Sequence, residues 1–336
     1  MDYRLLGRSG LRVSPLCLGT MIFGDRTDPA EARRIVDAAR NAGVNFIDTA
    51  DVYAQGASER IVGELVRPQR DHWIVATKVG NVIGPDANAG GLSRAWLFRA
   101  IDASLARLGL DHVDLWYLHR DDEATPLEET VGAVGDVIRS GRVRYFGVSN
   151  FRGWKIAEIV RLCERLGVPR PVVCQPYYNA FNRMPEVEIL PACAHYGIGI
   201  VPYSPLARGV LTAKYAPGAS PAPETRAGRN DVRMMETEFR AESLALAQRL
   251  KAHAEALGRS VIGFALNWVL NNALVTSVLA GPRTLEQWQG YLAALREPFT
   301  TDDEALLDAL VATGHPSTPG YNDPRYPLRG RVPRTS

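Results

Sequence analysis

Short apolar runs alternate along the chain with stretches in which hydrophobic residues recur every three or four positions. The runs fall at residues 15–19, 44–48, 73–78, 113–119, 143–149, 172–175, 198–203 and 276–280. They are near-continuous Val, Ile, Leu and aromatic side chains, the pattern of parallel strands covered on both faces. Eight strand–helix repeats of this kind predict an α/β chain closed into a (β/α)8 TIM barrel, whose reactive groups gather at the carboxyl ends of the strands. The competing architecture is an open doubly wound sheet. Neither GxGxxG nor GxxxxGK[ST] follows the first strand, so its usual phosphate loop is missing.

The connections carry their own signals. Asp28 with Pro29 and Glu31, Thr125 with Pro126 and Glu128, and Thr284 with Gln287 predict helix N-termini, and a capping box over Thr301 to Glu304 opens a C-terminal helical extension. Residues 3–13 hold a Gly7-Arg8-Ser9-Gly10 turn between short apolar arms and predict a hairpin covering the barrel floor. Residues 206–238 contain APGASPAPETRAGRN, too long for an ordinary barrel connection, and read as a lid after strand seven. The tail HPSTPGYNDPRYPLRGR reads as irregular. No fixed-period repeat or linker divides the chain, which predicts one domain over residues 1–336.

Composition narrows the partners. The sequence is 46% hydrophobic, enough for a substantial core. Lys and Arg number 39 against 37 Asp and Glu, so a net charge of +2 predicts neither nucleic acid nor an anionic membrane as partner. Cys17, Cys163, Cys174 and Cys193 form no CxxC pair and read as buried thiols, with Cys193 and His195 a thiol near a surface imidazole. The opening MDYRLLGRSG is charged where a secretory signal is apolar, and no apolar run approaches the roughly 20 residues of a membrane span, so a soluble cytoplasmic chain is expected. Oligomeric state is not encoded.

The candidate chemistry lies at strand ends. Asp48 closes NFID, Lys78 closes WIVATK and His119 closes HVDLWYLH, with Tyr53 in the loop beyond Asp48. A carboxylate, a phenol, an ammonium and an imidazole at one mouth suit proton transfer to a carbonyl oxygen. A free phenol has a pKa near 10, and lowering it by two to three units takes about 3 to 4 kcal/mol. One ammonium at about 4 Å supplies about 4 kcal/mol at an effective dielectric near 20, so Lys78 is expected to bring Tyr53 toward neutrality, with Asp48 keeping the lysine ionised. His119 can donate a hydrogen bond to the substrate oxygen. Asp51, in the same motif, reads as structural. Taken singly, each of these residues has a bland alternative: a cap, a rim aromatic or a solvated charge. No HxH, HExxH or GxSxG occurs, which leaves a metal-dependent barrel hydrolase as a weaker alternative and predicts no metal.

These fragments, with GRSGLRVSPLCLGT, GVSN, QPYYN, PYSPLARG and LAGPRTLEQ in order, resemble the aldo-keto reductase superfamily over nearly the whole length. The resemblance implies a (β/α)8 barrel that binds NADPH, or less often NADH, in extended form, and an Asp48, Tyr53, Lys78, His119 tetrad. It also implies that Ser149, Asn150 and Gln175 hold the nicotinamide carboxamide and that Tyr203 stacks on the ring. Ser204, Leu206, Arg208, Gly209 and Lys214 would line the pyrophosphate, and Gly19, Thr20, Met21 and Gly281 the remaining cofactor wall. Arg283, with Thr284 and Gln287, would meet a 2′-phosphate and favour NADPH, while Tyr291 stands where many members have Asn. Met21 and Phe23 match substrate-wall positions and suggest a carbonyl with an apolar portion. Tyr321 is positioned to reach over the mouth from the tail. Arg226 and Arg229, on the long loop, have two readings, closure over the pyrophosphate and, the favoured one, solvated surface arginines. Some relatives, such as potassium-channel beta subunits, bind NADPH and act mainly through a partner, so a nucleotide-sensing subunit is the rival to a reductase of aldehydes or ketones.

Overall fold

In a computed structural model, which describes residues 1–328, strands β1 (Arg4–Leu5) and β2 (Arg12–Val13) form an antiparallel hairpin. Eight parallel strands follow, β3 (Leu16–Gly19), β4 (Phe46–Asp48), β5 (Ile74–Val79), β6 (Val113–Leu118), β7 (Val143–Ser149), β8 (Val173–Gln175), β9 (Gly199–Ile200) and β10 (Val278–Ala280). Strands β3 to β8 each pair with the next, and β10 pairs with β3. The ring closes through parallel bridges Ile200–Val275 and Tyr203–Leu279. Strand β9 is shorter than its apolar run because Pro202 has no N–H to give the ladder, and Ser204 then turns into the left-handed region at φ 57°.

Register explains which side chains reach the mouth. Cys17, Phe46, Ala76, Leu115, Tyr117 and Val173 point into the barrel and pack together, while Leu16, Leu18, Ile47 and Val75 face the helices outside. With a side-chain period of two, the next inward positions above Phe46, Ala76, Tyr117 and Val173 are Asp48, Lys78, His119 and Gln175. The hydrophobic interior therefore ends in a polar layer at the carboxyl ends.

The hairpin closes the other end. Leu6 and Val13 are fully buried against Cys17, Phe46 and Leu115, as the sequence predicts. Gly7, at φ 55°, approaches so closely that a Cβ there would lie 2.4 Å from the Val172 carbonyl oxygen. Only glycine fits.

Two helix starts differ from expectation. Asp28 accepts from the Glu31 N–H and Thr284 from the Gln287 N–H, as predicted. Thr125 instead donates its hydroxyl to Asp122, leaving Pro126 as the N-cap of Leu127–Arg139 without a side-chain bond. The last capping box is formed by Thr300 and Asp303, one residue earlier than read. The long segment after β9 is partly ordered: a 3-10 turn covers Ala207–Thr212 and a short helix Val232–Thr237. Arg233 of that helix pairs with Asp323, tying the segment to the C-terminal tail. Residues 329–336, including the end of the predicted irregular tail, lie outside the described residues. Among the described residues no helix is long and apolar enough to cross a membrane, and no cluster of three His, Cys, Asp or Glu could hold a metal ion.

Candidate active site

A cavity of about 1040 Å³ opens at the carboxyl ends of the strands and runs from Tyr53 and His119 to Arg283 and Gln287. Tyr53 reaches it from a tight turn that begins immediately after β4, in which Ala54 and Gln55 adopt left-handed φ of 46° and 53°. Behind Tyr53 the fully buried Lys78 ion-pairs with Asp48, donates to the Thr49 carbonyl at 2.8 Å and lies 3.2 Å from the Tyr53 hydroxyl. His119 meets the Tyr53 ring edge-on at 5.9 Å between centroids. The four residues singled out in the sequence are thus brought to one point.

Burial dominates their electrostatics. It pushes the Asp48 carboxyl up, against Lys78 and Gln175, which favour the ionised form. Burial also works to neutralise Lys78, but Asp48 and then Tyr53 outweigh it, so the ammonium is held above the ordinary lysine value. The Tyr53 phenol is pushed up by burial; Lys78 opposes this, while Asp48 and Asp51 add to it. The expectation of a phenol brought toward neutrality by one ammonium is therefore corrected: in the free protein desolvation and two carboxyl groups more than offset Lys78. His119 is held well below the usual imidazole range by burial, Lys78 and Arg120. It is neutral, and because its Nδ1 accepts from the Asn81 side-chain amide at 2.9 Å, its proton is on Nε2.

The amide and hydroxyl groups of the neighbouring strand ends interlock with these four. Gln175 Nε2 donates to Asp48 Oδ2 at 3.0 Å, and Ser149 Oγ donates to the Gln175 carbonyl at 2.8 Å. Asn150, at φ 61°, donates to the His119 carbonyl and accepts from the Tyr203 hydroxyl at 2.8 Å. Tyr177 stacks on one face of Tyr203 at 5.6 Å and 22°, which leaves the other side of the ring to the cavity. Gly19, Thr20, Met21 and Gly281 form wall, with Thr20 also held by its hydroxyl to the Asp48 carbonyl.

The far end is rich in cations. Ser204, Leu206, Arg208, Gly209 and Lys214 line it on one side, and Arg283, Thr284, Gln287 and Tyr291 on the other. Gln287 Oε1 accepts from the Arg283 N–H at 2.8 Å, completing the cap begun by Thr284. Arg226 and Arg229 also line the cavity, Arg226 half-buried and Arg229 exposed to solvent. Burial, and after it the charges of Arg208 and Arg26, hold Arg226 below an ordinary guanidinium, with Asp231 and, less strongly, Tyr215 opposing. Arg208 Nε is buried without a hydrogen-bond partner among the described residues. Crowded and partly unpartnered guanidiniums fit a polyanionic dinucleotide.

Two expectations for the substrate end change. Phe23 is fully buried in the outer core and does not line the cavity; its neighbour Ile22 does, with Met21. Tyr321 is drawn away beneath Arg240, 3.9 Å from its ring, and the tail instead contributes Arg325 and Tyr326. Asn81 was not read from sequence; its position three residues beyond Lys78, in a turn with no distinctive motif, gives no signal by itself.

A (β/α)8 barrel with a Tyr–Lys–Asp–His cluster at the mouth and a long cation-lined cavity describes a class of oxidoreductase barrels. The chain belongs to the aldo/keto reductase family, whose model, described as "Aldo/keto reductase family", matches residues 15–312. It is similar to a probable voltage-gated potassium channel subunit beta of Oryza sativa subsp. japonica, 41% identical over 84% of this chain and 87% of that protein. It is also similar to the uncharacterized oxidoreductase YrpG of Bacillus subtilis (strain 168), 37% identical over 91% and 94%. An L-glyceraldehyde 3-phosphate reductase of Escherichia coli (strain K12) is 35% identical over 94% and 93%. Family and relatives together support an oxidoreductase acting on carbonyl compounds.

Proposed function

We propose that this chain reduces aldehydes or ketones to alcohols with NADPH, reversibly, with Tyr53 as the proton donor. The observation that carries the reading is the Tyr53 hydroxyl 3.2 Å from Lys78, at the wall of a cavity that continues into an arginine-rich end. Ser149, Asn150 and Gln175 would hold the carboxamide, Tyr203 the ring, Arg208 and Lys214 the pyrophosphate, and Arg283 the 2′-phosphate. When bound, the reduced nicotinamide supplies the hydride.

The protein's own part is proton management. His119, neutral with its proton on Nε2, donates a hydrogen bond to the carbonyl oxygen and orients it beside Tyr53. As negative charge grows on that oxygen, the phenol gives up its proton, and the phenolate left behind is stabilised by the Lys78 ammonium. Asp48 keeps Lys78 charged. In the free protein burial pushes the phenol up, so this reading draws the driving force for transfer from the basicity of the developing alkoxide.

The test is single-turnover oxidation of bound NADPH by a panel of carbonyls, neutral aldehydes and a small phosphorylated aldehyde among them, with Tyr53→Phe beside the parent. Loss of roughly 10²- to 10⁴-fold in the variant is expected. A second reading is favoured by the similarity to proteins named as potassium channel beta subunits: a nucleotide-binding subunit with little turnover. Parent and Tyr53→Phe oxidising bound NADPH equally slowly with every carbonyl would select it.

A further inference from the structure

Asp51 lies between Asp48 and Tyr53 and has no part in the steps above. Its side chain is buried, only 2% exposed, and among the described residues neither carboxyl oxygen has a hydrogen-bond partner. Its backbone N–H donates to the Lys78 carbonyl at 3.3 Å, which pins this part of the loop to β5 beside the tetrad. Three charged groups bear on the carboxyl: Glu59 from the helix Ala57–Val66, Arg107 from the helix Arg94–Leu108, and Lys78 from β5. Tyr53 feels it in turn.

The neighbouring ions are already engaged. Glu59 is fully buried, accepting from the Thr77 hydroxyl at 2.6 Å and from Arg107 Nε at 2.6 Å. Lys78 is committed to Asp48, Thr49 and Tyr53. A buried carboxylate with no side-chain donor and, among backbone groups, only the neighbouring Val52 amide to favour its charge, beside an ion-paired Glu59, is disfavoured against the neutral acid. Burial first, and Glu59 second, push the Asp51 carboxyl up to about 8, with Arg107, the Val52 amide and Lys78 offsetting only part of this.

We propose that Asp51 is a positioning residue held as a neutral acid beside the catalytic tyrosine, and that its ionisation sets the alkaline limit of carbonyl reduction. An anion at Asp51 opposes formation of a second anion at Tyr53 and competes for the field of Lys78. Both effects disfavour the phenolate that proton donation must create. Asp51 transfers no proton to the substrate; it exchanges with solvent and acts through the charge it carries. The inference rests on the carbonyl-reductase reading.

The experiment has two arms on the full chain. In infrared difference spectra of the free protein, the carbonyl band of a protonated carboxylic acid is expected at pH 7, titrating away near pH 8 and missing in Asp51→Asn. In single-turnover NADPH oxidation, the parent's rate falls on the alkaline side near that pH. Asp51→Asn, permanently neutral and of the same shape, moves that fall upward by about one pH unit or more. A merely structural Asp51 would scale the rate equally at every pH, and an unshifted alkaline limb overturns the proposal. So does a parent spectrum lacking the titrating band, a measurement that stands even where the asparagine variant does not fold. Tyrosine-dependent turnover with an unshifted limb removes this inference alone, whereas absence of any carbonyl turnover removes the reductase reading and this inference together.

Discussion

Arg283 is the single side chain on which the proposed preference for NADPH can be tested. It precedes the N-cap Thr284 of the helix Leu285–Ala294, and its backbone is fixed at both ends: the N–H donates to Gln287 and the carbonyl accepts from Thr27 at 2.8 Å. A cation at a helix N-terminus opposes the dipole; Glu31, accepting from the Leu285 N–H at 2.6 Å, already offsets part of this, and a 2′-phosphate would pair with the guanidinium itself. Arg283→Gln is expected to weaken NADPH binding by about 10- to 100-fold, the loss of one charge-assisted contact, while NADH binding changes by less than about threefold. Titration of intrinsic fluorescence with each nucleotide measures both, and equal weakening of the two would exclude the role. The candidate site positions were legible because Asp48, Lys78 and His119 close successive strands at matching inward register, although each alone has a bland alternative. The acidity of Tyr53 was not, since it depends on how completely Asp48, Lys78 and the phenol are removed from water, which no motif encodes. Asn81 was hidden for a related reason: its value comes from the imidazole it faces across the mouth.

Among the elements, the C-terminal helix Thr301–Leu310 shows how a local signal is resolved by tertiary contacts. The sequence Thr300-Thr301-Asp302-Asp303-Glu304 supports two capping registers, and packing selects the first. Asp303 has no exposed side-chain surface and receives Arg259 at 2.7 Å and His253 at 2.7 Å as well as the Thr300 N–H. Although burial alone would raise it, these donors hold its carboxyl well below the usual carboxylate range. A depressed pKa contributes stability that is present above the unfolded value near 4 and disappears as pH falls through the folded one. Asp303→Asn is therefore expected to destabilise the fold by about 1 to 3 kcal/mol at pH 7, with the gap to the parent narrowing below pH of about 4. Urea unfolding at several pH values checks this; a gap that stays constant into acid would mean that charge is not its origin. The barrel strands needed no such adjudication, because long apolar runs with period-two interiors have one solution. Thr125 failed as a cap because Asp122, three residues earlier, takes its hydroxyl.

For the molecule as a whole, the cavity joins distant parts of the chain. Arg26, Arg208, Arg226 and Arg283 come from four separate segments and converge on one end of it. Filling that end with a polyanion links those segments, so NADPH at about 100 times its dissociation constant is expected to stabilise the fold by about 2.7 kcal/mol. At that same nucleotide concentration the gain should be retained in Tyr53→Phe, which alters chemistry and not the anion site, and should shrink as salt screens the arginines and raises the dissociation constant. Thermal unfolding with and without nucleotide, in low and high salt, measures it; a salt-independent shift would place the binding energy elsewhere.

The plugged floor makes the barrel a cup and not a pipe. With Leu6, Val13 and Gly7 wedged against the lower strands, the tyrosine cannot be resupplied with hydrogen ions from below. In the proposed reaction, a proton returning to the phenol must therefore enter by the cavity at the carboxyl ends of the strands, the same side from which substrate arrives.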